Sequence, residues 1–202
     1  MPALHLQNIA KRYQRQRLFE GITGTLEGGR PCAILGRNGS GKSTLMRILA
    51  GMQKPTTGEV LFSEGEGKPR PLRYHEAALC APGMELPEEL TIREALRFHF
   101  SMKKALPGMN AEGALQETGL AEHGNKQLAD LSSGMKQRIK LMQAFASDTP
   151  LLLLDEPCTN LDDAGVAQYL DWCARFGKGR IVAVASNDPR EYAFCEARLE
   201  LG

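Results

Sequence analysis

The chain has 202 residues, a formal net charge of +1, and is 42% hydrophobic and 24% charged. That length makes one domain with a substantial core and room for a subdomain, and the near-neutral balance gives no sign of a nucleic-acid partner. No apolar run approaches the roughly 18 residues of a membrane span, so a role at a membrane requires another chain to supply the spanning part.

The five cysteines (Cys32, Cys80, Cys158, Cys173, Cys195) are odd in number, scattered, and form no C-x-x-C pair. Reduced thiols in a cytosolic setting account for them. The four histidines (His5, His75, His99, His123) are equally scattered and suggest no zinc site. The N-terminus lacks the charged-then-apolar layout of a signal peptide, so a cytoplasmic location is expected.

Leu4–Ile9 alternates in part and predicts a strand. The basic stretch Lys11–Arg17 reads as a solvated hairpin edge, or as charge that attracts an anionic ligand. Leu18-Phe19 and Ile22–Leu26 predict further strand, and Gly28-Gly29 a turn. Cys32–Leu35 is short and apolar, as a buried strand is.

Next comes Gly36-Arg37-Asn38-Gly39-Ser40-Gly41-Lys42-Ser43-Thr44, which fits the phosphate-loop pattern G-x-x-x-x-G-K-[ST]. Leu45, Ile48, Leu49 and Met52 then recur at helical spacing. Strand, glycine-rich loop and helix form the context the motif requires. Glycines let successive N–H groups turn inward at phosphate oxygens, and the helix start adds free donors. Lys42 can reach the β- and γ-phosphates as a point charge, and the Ser43 hydroxyl can ligate Mg2+.

Pro55–Gly58 predicts a turn, Glu59–Phe62 a short strand, Gly65–Pro71 an exposed loop and Ala77–Cys80 another strand. From Thr91 to about Gly134 the pattern is helical. Ile92, Ala95, Leu96 and Phe100 share a face, and Thr91 with Glu94 forms a capping box. Pro107-Gly108 breaks that helix, Ala111–Leu120 predicts another, and Leu128–Leu131 leads to a polar turn. Met135, Ile139, Met142 and Ala146 mark the next helix. Met102, Met109, Met135 and Met142 read as packing residues, and Trp172 as core.

Leu151–Leu154 and Ile181–Ala185 lack alternation, as strands covered on both faces do, and Arg198–Leu201 predicts a last strand. Strands separated by helices imply crossovers and a mainly parallel sheet. Leu151–Leu154 ends in Asp155-Glu156. These acids are either solvated caps of a following helix or groups delivered to a ligand at the carboxyl end of the sheet. With a phosphate loop in the same chain the second reading is preferred. Asp155 then shares the metal with Ser43, and Glu156 polarises an attacking water.

Taken together these residues resemble the nucleotide-binding subunit of an ABC ATPase. Gly36–Thr44 is similar to its Walker A, and Leu131–Gln137 to its signature, with the usual L-S-G-G-Q appearing as Leu-Ser-Ser-Gly-Met. Leu151–Glu156 resembles Walker B with the catalytic glutamate, and Asn160-Leu161-Asp162 the D-loop. Tyr13 stands where the family's adenine-stacking aromatic stands. The resemblance covers the whole chain in the family's motif order. It implies ATP and Mg2+ as ligands and a head-to-tail dimer, in which Ser132, Ser133 and Gly134 of one copy meet the γ-phosphate held by the other.

Two family residues are absent. The glutamine expected after the strand entering the helical insert falls on Pro82 or Gly83, and the histidine expected after Ile181–Ala185 is Asn187. An asparagine amide can hydrogen-bond a γ-phosphate but carries no titrating proton, so slow hydrolysis is expected.

The expected fold is a RecA-like P-loop NTPase of α/β class, with an N-terminal antiparallel β portion and an inserted helical subdomain. Residues 1–82 and 147–202 are expected to form the core and residues 83–146 the subdomain carrying the signature. With the last strand so near residue 202, no room for a regulatory C-terminal domain is expected. The resemblance implies the ATPase subunit of an ABC transporter, a homodimer or heterodimer with a separate transmembrane permease, at the inner face of the cell membrane. The alternative is a soluble ABC ATPase acting as an ATP-gated clamp or assembly factor, for example in Fe–S assembly.

Overall fold

The computed structural model describes residues 1–14, 16–65 and 67–201; Arg15 of the basic stretch and Glu66 of the expected loop lie outside the described residues. In chain order the elements are strands β1 (Pro2–Tyr13), β2 (Gln16–Glu27) and β3 (Cys32–Gly36), helix α1 (Lys42–Leu49), and strands β4 (Thr57–Glu64), β5 (Arg70–Pro71) and β6 (Ala77–Cys80). There follow helices α2 (Ile92–Met102), α3 (Ala111–Glu117) and α4 (Ser133–Phe145), strand β7 (Leu151–Asp155), helix α5 (Asp163–Phe176), strand β8 (Ile181–Ala185), helix α6 (Pro189–Tyr192) and strand β9 (Ala197–Leu201). Backbone contacts divide the chain into two compact units. The first is Met1–Leu79, Thr149–Glu156 and Gly177–Gly202, and the second is Cys80–Asp148 and Pro157–Phe176.

The first unit holds an antiparallel sheet of order β2-β1-β4-β5, and the five-stranded sheet has the order β6-β7-β8-β3-β9. In β1, Leu4 and Leu6 are buried on a period of two, but Ile9 is buried out of step. Asn8 absorbs the offset. Its φ of 49° is left-handed, and the β1–β2 register shifts between Leu6 and Ile9. Asparagine tolerates that conformation better than other non-glycine residues, and the resulting bulge turns Ile9 back to the core. The loop expected over 65–71 contributes the two-residue edge strand β5, where the N–H that Pro71 lacks is not needed.

β7 and β8 are buried at every position. They pair in parallel, Leu151 opposite Ile181 through Asp155 opposite Ala185, and β8 pairs with β3 with Ile34 opposite Ala185. All three strands therefore end at one edge of the sheet. Helix α1 stops at Leu49 because Gly51 takes a φ of 72° and the Met52 N–H turns back to Arg47 O at 2.9 Å. Met52, expected on the buried stripe, thus lies past the helix and is exposed.

In the second unit Thr91 caps α2. Its hydroxyl accepts from the Glu94 N–H at 3.2 Å, while the Glu94 carboxylate accepts from the Thr91 N–H at 2.8 Å. Ile92, Ala95 and Leu96 are buried, but Met102, read as packing, is exposed at the end of that helix. α3 ends at Glu117, short of the expected Leu120, and Gly119 has a φ of 72°. α4 buries Gln137, Leu141, Ala144 and Phe145 besides the expected Ile139 and Met142, so it is covered on more than one face.

Residues 157–176, expected with the core, cluster with the helical unit. The cause is packing: the Phe145 ring lies 6.2 Å from Tyr169, 5.9 Å from Trp172 and 6.4 Å from Phe176, which anchors α5 on α4. Aromatic pairs at these separations add to the burial of large rings. Among the described residues no helix is long and apolar enough to cross a membrane.

Phe145 is fully buried at the centre of this cluster. Phe145→Ala is expected to lower unfolding stability by about 3–5 kcal/mol. Urea denaturation checks this, with a loss below about 1 kcal/mol counting against the packing role.

Candidate nucleotide-binding site

The loop between β3 and α1 places Gly36–Thr44 at the sheet edge. Gly41 caps α1 with a φ of 100°, and a Cβ there would lie 2.7 Å from Leu18 carbons, so only glycine fits. No side chain caps α1. Its first N–H groups are left for an anion, with the positive end of the helix dipole behind them. Lys42 is buried, and its Nζ donates to Gly36 O at 2.7 Å, Arg37 O at 3.3 Å and Asn187 Oδ1 at 3.3 Å. The ammonium is thus folded over the loop. The Ser40 hydroxyl is buried within the loop without a hydrogen-bond partner.

Asp155 ends β7, is 2% exposed, and has one carboxylate oxygen, Oδ1, with no partner. Burial pushes its carboxyl above the usual range, and the Glu156 charge adds to that. A hydrogen bond with Ser43 and the charge of Lys42 pull the other way. A buried orphan carboxylate oxygen beside a hydroxyl is a donor set suited to a hard divalent cation such as Mg2+. That ion takes one or two protein oxygens and completes its shell with water and phosphate.

Glu156 is exposed, and its φ of 45° is left-handed. Its N–H donates to Ala185 O at 2.8 Å. For a non-glycine residue this backbone costs on the order of 1–3 kcal/mol and persists where neighbours enforce it. Asn187 follows β8, and its Nδ2 donates to Asn38 Oδ1 at 2.6 Å. The amide thus links Asn38 to Lys42. Tyr13, at the end of β1, is 48% exposed, and its phenol oxygen accepts from Gln53 Nε2 at 2.6 Å.

The signature and D-loop residues lie in the second unit. Ser132 caps α4, its hydroxyl accepting from the Met135 N–H at 3.3 Å, and Ser132 and Ser133 are exposed. A Cβ on Gly134 would lie 2.7 Å from Asn160 O, which brings the turn against the D-loop backbone. The Asp162 carboxylate accepts from the Gly165 N–H at 2.8 Å and from Arg138 at 3.0 Å, and both hold it below the usual range. Pro82 and Gly83 occupy the turn after β6, where the Met84 N–H donates to Ala81 O at 3.1 Å, and neither residue offers a side-chain oxygen.

Three contributors were not singled out from the sequence. Gln137, 2% exposed, donates to Pro157 O at 2.7 Å, next to Glu156 in the chain. Arg138 pairs with Asp162, and Gln53 holds Tyr13. A lone polar residue on an otherwise buried helix face was the one available signal, and it pointed to Gln137 only.

A carboxyl whose folded pKa lies above its unfolded value takes up protons on folding. Stability therefore falls as pH rises from the ordinary aspartate range through the raised folded value. Burial of the Asp155 carboxyl thus makes its ionised form a cost to stability. Asp155→Asn should raise the thermal midpoint at pH 7.5, with a smaller gain at pH 4. A lowered midpoint at pH 7.5 would contradict this.

The ABC transporter family matches residues 19–159. The cytochrome c biogenesis ATP-binding export protein CcmA of Saccharophagus degradans is 33% identical over 197 residues, covering 91% of this chain and 86% of that protein. The spermidine/putrescine import ATP-binding protein PotA of Mycoplasma mycoides is 32% identical over 162 residues, or 79% of this chain; the chain spans 46% of that longer protein, about half its length. A solved dimeric ATP-binding cassette in a post-hydrolysis state, bound to ADP and Pi, has a TM-score of 0.83 at 22% identity, covering 98% of this chain and 94% of that one, and so shares the fold. Phosphate loop, buried acid and matched residues agree: the chain belongs to the ABC transporter family, among its ATP-binding proteins.

Proposed function

We propose that the chain binds Mg-ATP at residues 36–44 and hydrolyses it as the ATPase subunit of a transporter. It works as a nucleotide-sandwich homodimer or heterodimer with a separate permease at the inner face of the cell membrane. The observation that carries this is the partnerless Oδ1 of buried Asp155, bonded through its carboxyl to Ser43 on the loop that holds Lys42. The named transport relatives and the dimeric cassette support it. The second unit exposes Met84, Phe98 and Met102, large apolar groups of the kind a partner subunit covers.

In this reading Lys42 leaves its carbonyl partners for the β- and γ-phosphates. Ser43 and Asp155 would hold Mg2+, which would supply positive charge against the phosphates. Glu156 accepts a proton from the attacking water as its oxygen bonds to the γ-phosphorus and the bond to ADP breaks. Asn187 donates its amide N–H to the γ-phosphate. Ser132, Ser133 and Gly134 of the opposing copy add donors, so a lone chain turns over slowly.

Glu156→Gln should retain ATP, accumulate a dimer in size-exclusion chromatography, and hydrolyse at least about 100-fold more slowly. Full activity would rule the role out. Asn187→Ala should slow turnover, and unchanged phosphate release would count against its donor role. Because asparagine does not titrate, no ionisation of this residue shapes the pH–rate profile, whereas Asn187→His should add a limb near pH ~6.5.

A further inference from the structure

Tyr13 is not a free side chain at a hairpin tip. Its phenol oxygen accepts from Gln53 Nε2 at 2.6 Å. The Lys11 ammonium sits 5.2 Å from the ring centroid, over one face, and donates to Lys54 O at 2.8 Å. Gln53 is itself tied to the phosphate-loop helix, since its N–H donates to Arg47 O at 3.2 Å and the Met52 N–H shares that carbonyl at 2.9 Å. An unbroken set of contacts therefore runs from α1 through Arg47 and Gln53 to the Tyr13 ring.

We infer that Gln53 is a positioning residue that fixes the Tyr13 ring at a set distance from the phosphate loop. It thereby makes the site favour a nucleoside triphosphate over inorganic tripolyphosphate. The inference rests on the reading that Tyr13 stacks the nucleobase. An exposed ring that must be immobilised when the base arrives loses rotational freedom, and a ring already held does not. With Lys11 covering one face, the base takes the other.

The test compares dissociation constants of the full chain for Mg-ATP and Mg-tripolyphosphate by calorimetry. Gln53→Ala should weaken ATP by about 3- to 10-fold and leave tripolyphosphate within about twofold. Tyr13→Phe keeps the ring but removes the hydroxyl, and should match it. The double variant should be no weaker than either single one, because both remove the same hydrogen bond. Unchanged ATP affinity in Gln53→Ala, an equal loss for tripolyphosphate, or additive losses in the double variant would each overturn the inference. Tyr13→Ala separates the two levels. If it abolishes the preference for ATP while Gln53→Ala does not, only the positioning role falls; if it too leaves the preference intact, the stacking reading falls with it.

Discussion

Asp155 lies opposite Ala185 in the pairing of β7 with β8, and Ala185 lies opposite Ile34 in that of β8 with β3. Every group at the ligand end of the first unit depends on that parallel register. It brings the loop after β3, the acids at the end of β7 and Asn187 after β8 to the same edge. A slip of one residue along any of these strands would turn Asp155 or the loop to the wrong face. The strands resist slipping because β7 and β8 are apolar and covered throughout, so the register is held by core packing rather than by the polar groups it presents.

The same edge holds several unfavourable features. Asp155 Oδ1 is buried without a partner, Ser40 carries an orphan hydroxyl, α1 has no side-chain cap, and Glu156 sits at left-handed φ. Each costs stability in the free protein. In the proposed function, a magnesium-bound triphosphate would meet the first three with opposite charge or a matching acceptor. The Lys42 ammonium rests on two loop carbonyls and Asn187. In the proposed function, its exchange from those neutral acceptors to phosphate would be a gain in charge complementarity.

The second unit joins the start of α4 to the segment after the acids at three points: Gly134 against Asn160, Gln137 on Pro157 and Arg138 on Asp162. Asn187, Pro82 and Gly83 take no part in these three contacts.

The phosphate loop, the Thr91–Glu94 capping box and the unbroken apolar runs of β7 and β8 were legible in the sequence. Each is a local pattern, in which backbone and side chains within a few residues decide the outcome. Partial alternation in β1 was visible, but not the bulge at Asn8 that returns Ile9 to the core. The grouping of α5 with the helical unit was hidden as well, since it rests on which ring Phe145 finds. The bonds from Asn187 to Asn38, from Gln53 to Tyr13 and from Gln137 to Pro157 join residues 149, 40 and 20 positions apart. A polar side chain takes whatever partner the packing of distant elements brings within 3 Å or so, and no periodicity in the chain encodes that. The sequence by itself determined the chemistry carried to the sheet edge; tertiary structure alone decided which of those groups meet, because contact depends on the register and packing of strands far apart in the chain.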